Sequence, residues 1–132
     1  MNPEETGRAV LDAAFTVHTK LGPGLLESVY EAALTRELTK RGHTVFRQKS
    51  IPVFYDGELL DDVSFRADLI VDDLVLTELK SVSEITDLFK KITYNYLRLI
   101  PLRLGFLINF NEAHLKHGIT RIVNGAEGKS FF

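Results

Sequence analysis

The apolar residues of this chain switch from a helical spacing to a strand spacing near residue 50, and that switch narrows the folds open to it. Val10, Ala14, Val17 and Leu21 recur at helical intervals, which predicts a first helix over about 4–20. Gly22-Pro23-Gly24 has to break it. Leu26, Tyr30, Ala33 and Leu38 form the apolar face of a second helix, and Gly42 supplies its stop. From there the period is 2. Ile51, Val53 and Tyr55 alternate toward the Asp56-Gly57 turn, and Phe65, Ala67, Leu69 and Val71 alternate up to Asp72-Asp73. A third run covers 74–80, and two strands joined by so short a polar turn are antiparallel neighbours.

The helical period returns once. Ile85, Leu88, Phe89, Ile92, Tyr96 and Leu99 fit one stripe, with Ser83 as the expected cap and Pro101 as the stop. The expected place for this stripe, Ile92 included, is against the sheet. Leu104, Phe106, Ile108 and Phe110 then read as a strand, and Ile119, Arg121 and Val123 as a short edge strand. The order α-α-β-β-β-α-β belongs to the α/β (α+β) class, a mixed central sheet flanked by helices. With no repeat and no linker, residues 1–124 read as one domain and 125–132 as a tail whose two terminal Phe could dock.

Composition excludes several classes. A 132-residue chain that is 45% hydrophobic and 26% charged is globular rather than disordered. Its apolar runs fall far short of the ~20 residues a membrane helix needs, so no membrane association is expected. The acidic opening, Met1 to Glu5, does not read as a secretory signal. The absence of cysteine removes disulfides, a thiol nucleophile and thiolate zinc sites, and a cytoplasmic location is the expectation. The net charge of -2 hides an asymmetry: residues 1–79 carry 8 Lys/Arg against 14 Asp/Glu, residues 80–132 carry 8 against 4. So balanced a chain has no strong standing grip on phosphates. A nucleic-acid enzyme whose acidic site is neutralised by metal stays open.

The chemistry concentrates at Asp68 and at Glu78-Leu79-Lys80. Residues 74, 76, 78 and 80 share one strand face, so Glu78 and Lys80 project side by side among apolar neighbours. Asp68 interrupts an equally apolar strand. Charges in such strands are costly unless paired or bound to metal. Register decides whether the carboxylates meet. If Asp68 faces Glu78, then Val71 faces Val75 and the loop is 72–74. A two-residue turn at Asp72-Asp73 would instead put the two carboxylates on opposite faces. A metal site therefore requires the three-residue loop or a bulge that restores even parity. Two carboxylates on one face make a hard oxygen site suited to Mg²⁺ or Mn²⁺. The competing explanation is a buried ion-pair network of purely structural purpose.

These residues resemble the PD-(D/E)XK nuclease superfamily, in which an Asp is followed on the next strand by Glu-x-Lys. Gly24-Leu25-Leu26-Glu27-Ser28-Val29-Tyr30 further resembles the signature of its GxxExxY family. Phe65-Arg66-Ala67-Asp68-Leu69-Ile70-Val71, Asn95-Tyr96-Leu97 and the run from Leu104 to Phe110 resemble the same family, and the similarity spans about 5–123. The resemblance implies a restriction-endonuclease-like αβββαβ core. It implies that Asp68 and Glu78 bind Mg²⁺ or Mn²⁺, with the Leu79 backbone carbonyl as a further ligand. Lys80 would stand beside the attacking water, and Glu27 would be a helix-borne acid added to the site. Read from the residues alone, Glu27 is equally well explained as favourable charge at a helix N-terminus. The family pattern places a His and, three residues later, a Gln on the third helix, where this chain has Phe89 and Ile92.

The resulting expectation is a metal-dependent phosphodiesterase of nuclease type, acting on DNA more than RNA and weak in activity. The alternative is a catalytically impaired nucleic-acid-binding or regulatory module on the same fold. Lys90 and Lys91 are candidates to meet a phosphate backbone, although a solvated helix face explains them as well. A chain this small spans a duplex poorly alone, which adds a homodimer to the expectations. His18 reads as a packing residue, His114 and His117 as a surface pair, and Arg66 as the partner of a surface acid.

Overall fold

A computed structural model describes residues 1–125, so the expected tail lies, beyond Gly125, outside the described residues. Helix α1 runs Pro3–Leu21, opened by Asn2, whose side chain accepts from the Glu5 amide at 2.9 Å, with Pro3 and two acids in the first turn. Helix α2 runs Glu27–Lys40 and closes as a Schellman motif. The His43 amide donates to the Leu38 carbonyl and the Gly42 amide to the Thr39 carbonyl, both at 3.0 Å. Gly42 takes the left-handed conformation that this closure demands, with φ of 94°.

Five strands follow the two helices: β1 Val45–Tyr55, β2 Glu58–Val71, β3 Val75–Lys80, β4 Leu104–Asn109 and β5 Ile119–Val123. Helix α3, Asp87–Leu99, connects β3 to β4, and the strands lie side by side in the order β1-β2-β3-β4-β5. Only β3 and β4 run parallel, as a helical crossover allows. All of β4 is buried, and so is β3 up to Leu79, which explains their continuous apolar character. One sheet face packs Leu69, Val71, Val75, Leu79, Leu104 and Phe106 against α1 and α2. The other packs Ile70, Leu76, Leu107 and Ile122 against α3. A Cβ on Gly7 would come within 2.9 Å of Leu104, so the absent side chain lets α1 lie close on β4.

Two sequence expectations about α3 need correction. The helix starts at Asp87, and Thr86, not Ser83, caps it by accepting from the Phe89 amide at 3.3 Å. Ser83 and Ile85 stay outside because the Asn109 side chain holds Val82 away from helical bonding, accepting from its amide at 3.1 Å and donating to its carbonyl at 3.0 Å. The buried face is also rotated. Thr93 and Leu97 are buried, with Phe89, Tyr96 and Ile100 half-buried, whereas Leu88, Ile92 and Leu99 are 63%, 38% and 42% exposed. Thr93 can turn inward because its hydroxyl donates to the Phe89 carbonyl at 2.9 Å. Leu97 fits where Gly105 leaves β4 without a side chain, an added Cβ there lying 3.1 Å away.

Candidate active site

The site begins at the loop that sets strand register. Val71 pairs with Val75, Ile70 with Leu76 and Leu69 with Thr77, so residues 72–74 form the loop and parity is even. Asp72 and Asp73 are both left-handed at φ of 55°, and the Leu74 amide donates back to the Val71 carbonyl at 3.0 Å. Strand β3 therefore starts at Val75, one residue later than the apolar run suggested. Asp72 pins this loop. Its Oδ1 accepts from the Thr44 amide at 2.9 Å, and its Oδ2 meets His43 Nδ1 at 2.7 Å and the Thr6 hydroxyl at 3.1 Å.

Continuing the register places Asp68 opposite Glu78, and there the backbone ladder stops. Side chains take over from it. The Asp68 amide donates to Glu78 Oε2 at 2.8 Å, and the Leu79 amide donates to Asp68 Oδ2 at 2.9 Å. Each carboxylate thus holds an amide of the facing strand where the strands part. Glu78 is 7% exposed. Burial first, and then the adjacent Asp68 charge, push its pKa up to about 9, against the opposing pull of the Asp68 amide and the Lys80 charge. Glu78 therefore carries a proton at neutral pH.

Two aromatic groups flank the pair from α3. Tyr96 stacks on Phe65, ring centroids 4.0 Å apart, and its pKa is raised by burial and then by the charges of Glu78 and Asp68. The Lys80 ammonium sits 4.7 Å from the centre of the Phe89 ring. Asn109, 1% exposed and paired in register with Lys80, fixes the chain just beyond it through Val82.

Glu27 is the first residue of helix α2, and its side chain is exposed. The helix start lies near the end of β3, because the Ser81 hydroxyl donates to the Leu25 carbonyl at 2.6 Å. Buried Tyr30 holds this connection: its hydroxyl donates to the Gly22 carbonyl at 2.6 Å and accepts from the Leu25 amide at 3.1 Å, while its ring stacks on Phe110 at 4.5 Å. Glu31, one turn beyond Glu27, is tied to Asp68 through Gln48. Gln48 Nε2 donates to Glu31 Oε1 at 2.6 Å and to Asp68 Oδ1 at 3.1 Å.

Sequence reasoning passed over Glu31, Gln48 and Asn109 as site residues. Gln48 had a signal in principle, since it would face Asp68 once β1 was extended back to Val45, but the polar stretch 47–50 hid that strand. Lys90 is half-buried and Lys91 exposed on α3. Arg66 donates to the Gln48 carbonyl at 3.4 Å, not to the surface acid expected, because β1 lies directly alongside. His18 Nε2 meets the Glu112 carbonyl at 2.8 Å, and His114 and His117 lie edge to face at 6.2 Å.

Among the described residues, no three His, Asp or Glu side chains gather into a metal cage. The donor set that remains fits a hard divalent ion nonetheless. Two acids share a site that burial, and then charge repulsion, keeps from full ionisation, and Mg²⁺ typically takes one or two carboxylates and keeps several waters. Residues 4–122 match the family model for the PD-(D/E)XK nuclease superfamily, whose nucleases generally use divalent metal ions. Neither the curated proteins nor the solved structures gave a significant match.

Proposed function

The chain belongs to the PD-(D/E)XK nuclease superfamily, and we propose that it is a phosphodiester hydrolase of low activity that cuts DNA in preference to RNA. Within the superfamily we assign it to the GxxExxY family on the Gly24-to-Tyr30 signature. Asp68 and Glu78 are the side chains that would hold Mg²⁺ or Mn²⁺, and the Leu79 carbonyl is a further ligand. Such an ion polarises a phosphodiester and makes a bound water acidic. Lys80 stabilises the charge that builds on the phosphate. Tyr96, stacked on Phe65, shields one side of the pair from solvent. Glu27 acts as an accessory acid, and Lys90 and Lys91 meet the nucleic-acid backbone.

The observation that carries this reading is the reciprocal bonding of Asp68 and Glu78 to each other's strands. A structural ion pair would need Lys80 to neutralise a buried charge. Burial and Asp68 instead push Glu78 toward its protonated form, so Lys80 is not what balances it, in keeping with a site built to receive a cation.

One observation favours the alternative of a catalytically impaired nucleic-acid-binding or regulatory module. The residue beneath Lys80 is the Phe89 ring, and the next turn carries Ile92, so neither position supplies a polar group. We take residues 1–124 as one domain and place the protein in the cytoplasm. No helix of the described residues is long and apolar enough to cross a membrane. A homodimer is supported by the apolar side chains left exposed on α3 (Leu88, Leu99) and on the β1–β2 hairpin (Phe54, Tyr55, Leu59).

The test is Mn²⁺ titration of the wild type, Asp68→Ala and Glu78→Ala, followed by cleavage of supercoiled plasmid and single-stranded RNA. We expect metal binding that both variants lose while remaining folded, and slow plasmid nicking with RNA spared. Metal binding without cleavage selects the impaired module. Wild-type affinity in both variants sinks the metal assignment.

A further inference from the structure

Asp68 is the carboxylate on which the proposed site turns, and its second oxygen is held by a residue that occupies an unfavourable backbone conformation. Gln48 lies in the middle of β1 with φ of 50°, between the regular pairs Arg47–Leu69 and Lys49–Ala67. A residue other than glycine is disfavoured there, and such strain concentrates at functional positions. Regular pairing on both sides shows that the twist is confined to one residue.

That residue directs its amide to the site. Gln48 Nε2 donates to Asp68 Oδ1 at 3.1 Å and to Glu31 Oε1 at 2.6 Å. Glu31 is itself fixed from the other side, its Oε2 accepting from Arg47 Nε and pairing with Arg47 Nη2, both at 3.1 Å. A chain of bonds therefore runs from Arg47 through Glu31 and Gln48 to Asp68. Since the Leu79 amide fixes Asp68 Oδ2, both oxygens of Asp68 are oriented. Helix α3 offers no replacement, because Phe89 is engaged with Lys80 and neither Phe89 nor Ile92 carries an amide.

We infer that Gln48 is a positioning residue for Asp68, with Glu31 as its anchor, so that β1 supplies the amide support that α3 lacks. The inference rests on the reading of Asp68 and Glu78 as metal ligands. Outer partners of metal-binding carboxylates set affinity by about 10- to 100-fold, because they fix the ligand before the ion arrives.

The experiment compares wild type, Gln48→Met, Gln48→Gly and Asp68→Ala by Mn²⁺ calorimetry, thermal melting and plasmid cleavage. Gln48→Met keeps the length and removes both bonds. Gln48→Gly also removes them but relieves the backbone, so it folds even if the methionine variant does not. Expected is a loss of Mn²⁺ affinity of about tenfold or more in both Gln48 variants, with kcat lowered, KM for plasmid unchanged and Gln48→Gly melting no lower than wild type. If Asp68→Ala abolishes Mn²⁺ binding while both Gln48 variants bind like wild type, the positioning role is overturned and the metal site stands. If wild type and Asp68→Ala bind Mn²⁺ equally, or neither binds it, the metal reading fails and the positioning role falls with it.

Discussion

The amide of Asp68 donates to the carboxyl of Glu78 at 2.8 Å, at the point where β2 and β3 cease to pair through their backbones. An acid so placed gains hydrogen bonding yet cannot easily ionise, since it is buried beside a second carboxylate. That conflict makes the metal-free protein sensitive to pH.

The folded pKa of Glu78, about 9, lies above its unfolded value, so between the two the folded state binds more protons than the unfolded state. The linkage relation then makes stability fall as pH rises through that window. A tenfold difference in proton affinity between the two states corresponds to about 1.4 kcal/mol. Glu78→Gln removes the titration. We expect the metal-free wild type to lose stability progressively from pH 5 to pH 9 in urea melts, while Glu78→Gln follows a flatter profile and is the more stable of the two at pH 8. A wild-type profile as flat as that of the variant contradicts the protonated Glu78.

Metal binding should displace that proton. A carboxylic acid must ionise to become a ligand, so Mn²⁺ affinity rises with pH and about one proton leaves on binding near pH 7. Calorimetry in two buffers of different ionisation enthalpy counts the protons directly. A count of zero alongside measurable affinity would mean that the ion binds elsewhere.

Asp72 governs register rather than chemistry. Burial raises its pKa, but hydrogen bonding with His43, the Thr44 amide and Thr6 outweighs burial and leaves it below the usual carboxylate value. The sign is opposite to that of Glu78: this contribution is present above the unfolded pKa and is lost as pH falls through the folded one. Asp72→Ala removes all three partners and places a side chain without a turn-forming oxygen at φ of 55°. We expect a loss of about 2–3 kcal/mol in urea denaturation. Asp72→Asn, which tolerates the left-handed turn, should lose less and should weaken the dependence on pH below 4. Equal losses in the two variants would assign the whole effect to charge.

How much of this was legible in the sequence depends on what each residue touches. The spacing of Val10, Ala14 and Val17, and the alternation from Phe65 to Val71, showed the elements because burial on one face leaves a period behind. Parity reduced the meeting of Asp68 and Glu78 to the length of a single loop, and the loop has the length that brings them together. Gln48 was hidden because its role depends on one left-handed residue in the polar stretch of β1, which leaves no period. The face of α3 was misjudged because apolar residues cover most of that helix. Thr93 turns inward only by bonding its own backbone, and Leu97 only because Gly105 makes room.

The two positions of α3 that differ from the pattern the sequence resembles also differ in exposure, Phe89 half-buried and Ile92 exposed. Ile92 is 38% exposed and outside the core that α3 forms with the sheet. Ile92→Gln should therefore change stability by no more than about 0.5 kcal/mol and leave Mn²⁺ affinity and cleavage at wild-type levels. Phe89 is the consequential position, because its ring lies beneath the Lys80 ammonium. A ring there attracts the cation electrostatically but cannot accept a hydrogen bond from it, so the lysine is held by its charge alone. Phe89→Gln supplies an acceptor and gives up an apolar contact. We expect it to cut thermal stability while raising single-turnover cleavage of plasmid by about tenfold, the equivalent of ~1.4 kcal/mol of better Lys80 placement. A gain from Ile92→Gln with none from Phe89→Gln would make Ile92, and not Phe89, the consequential position.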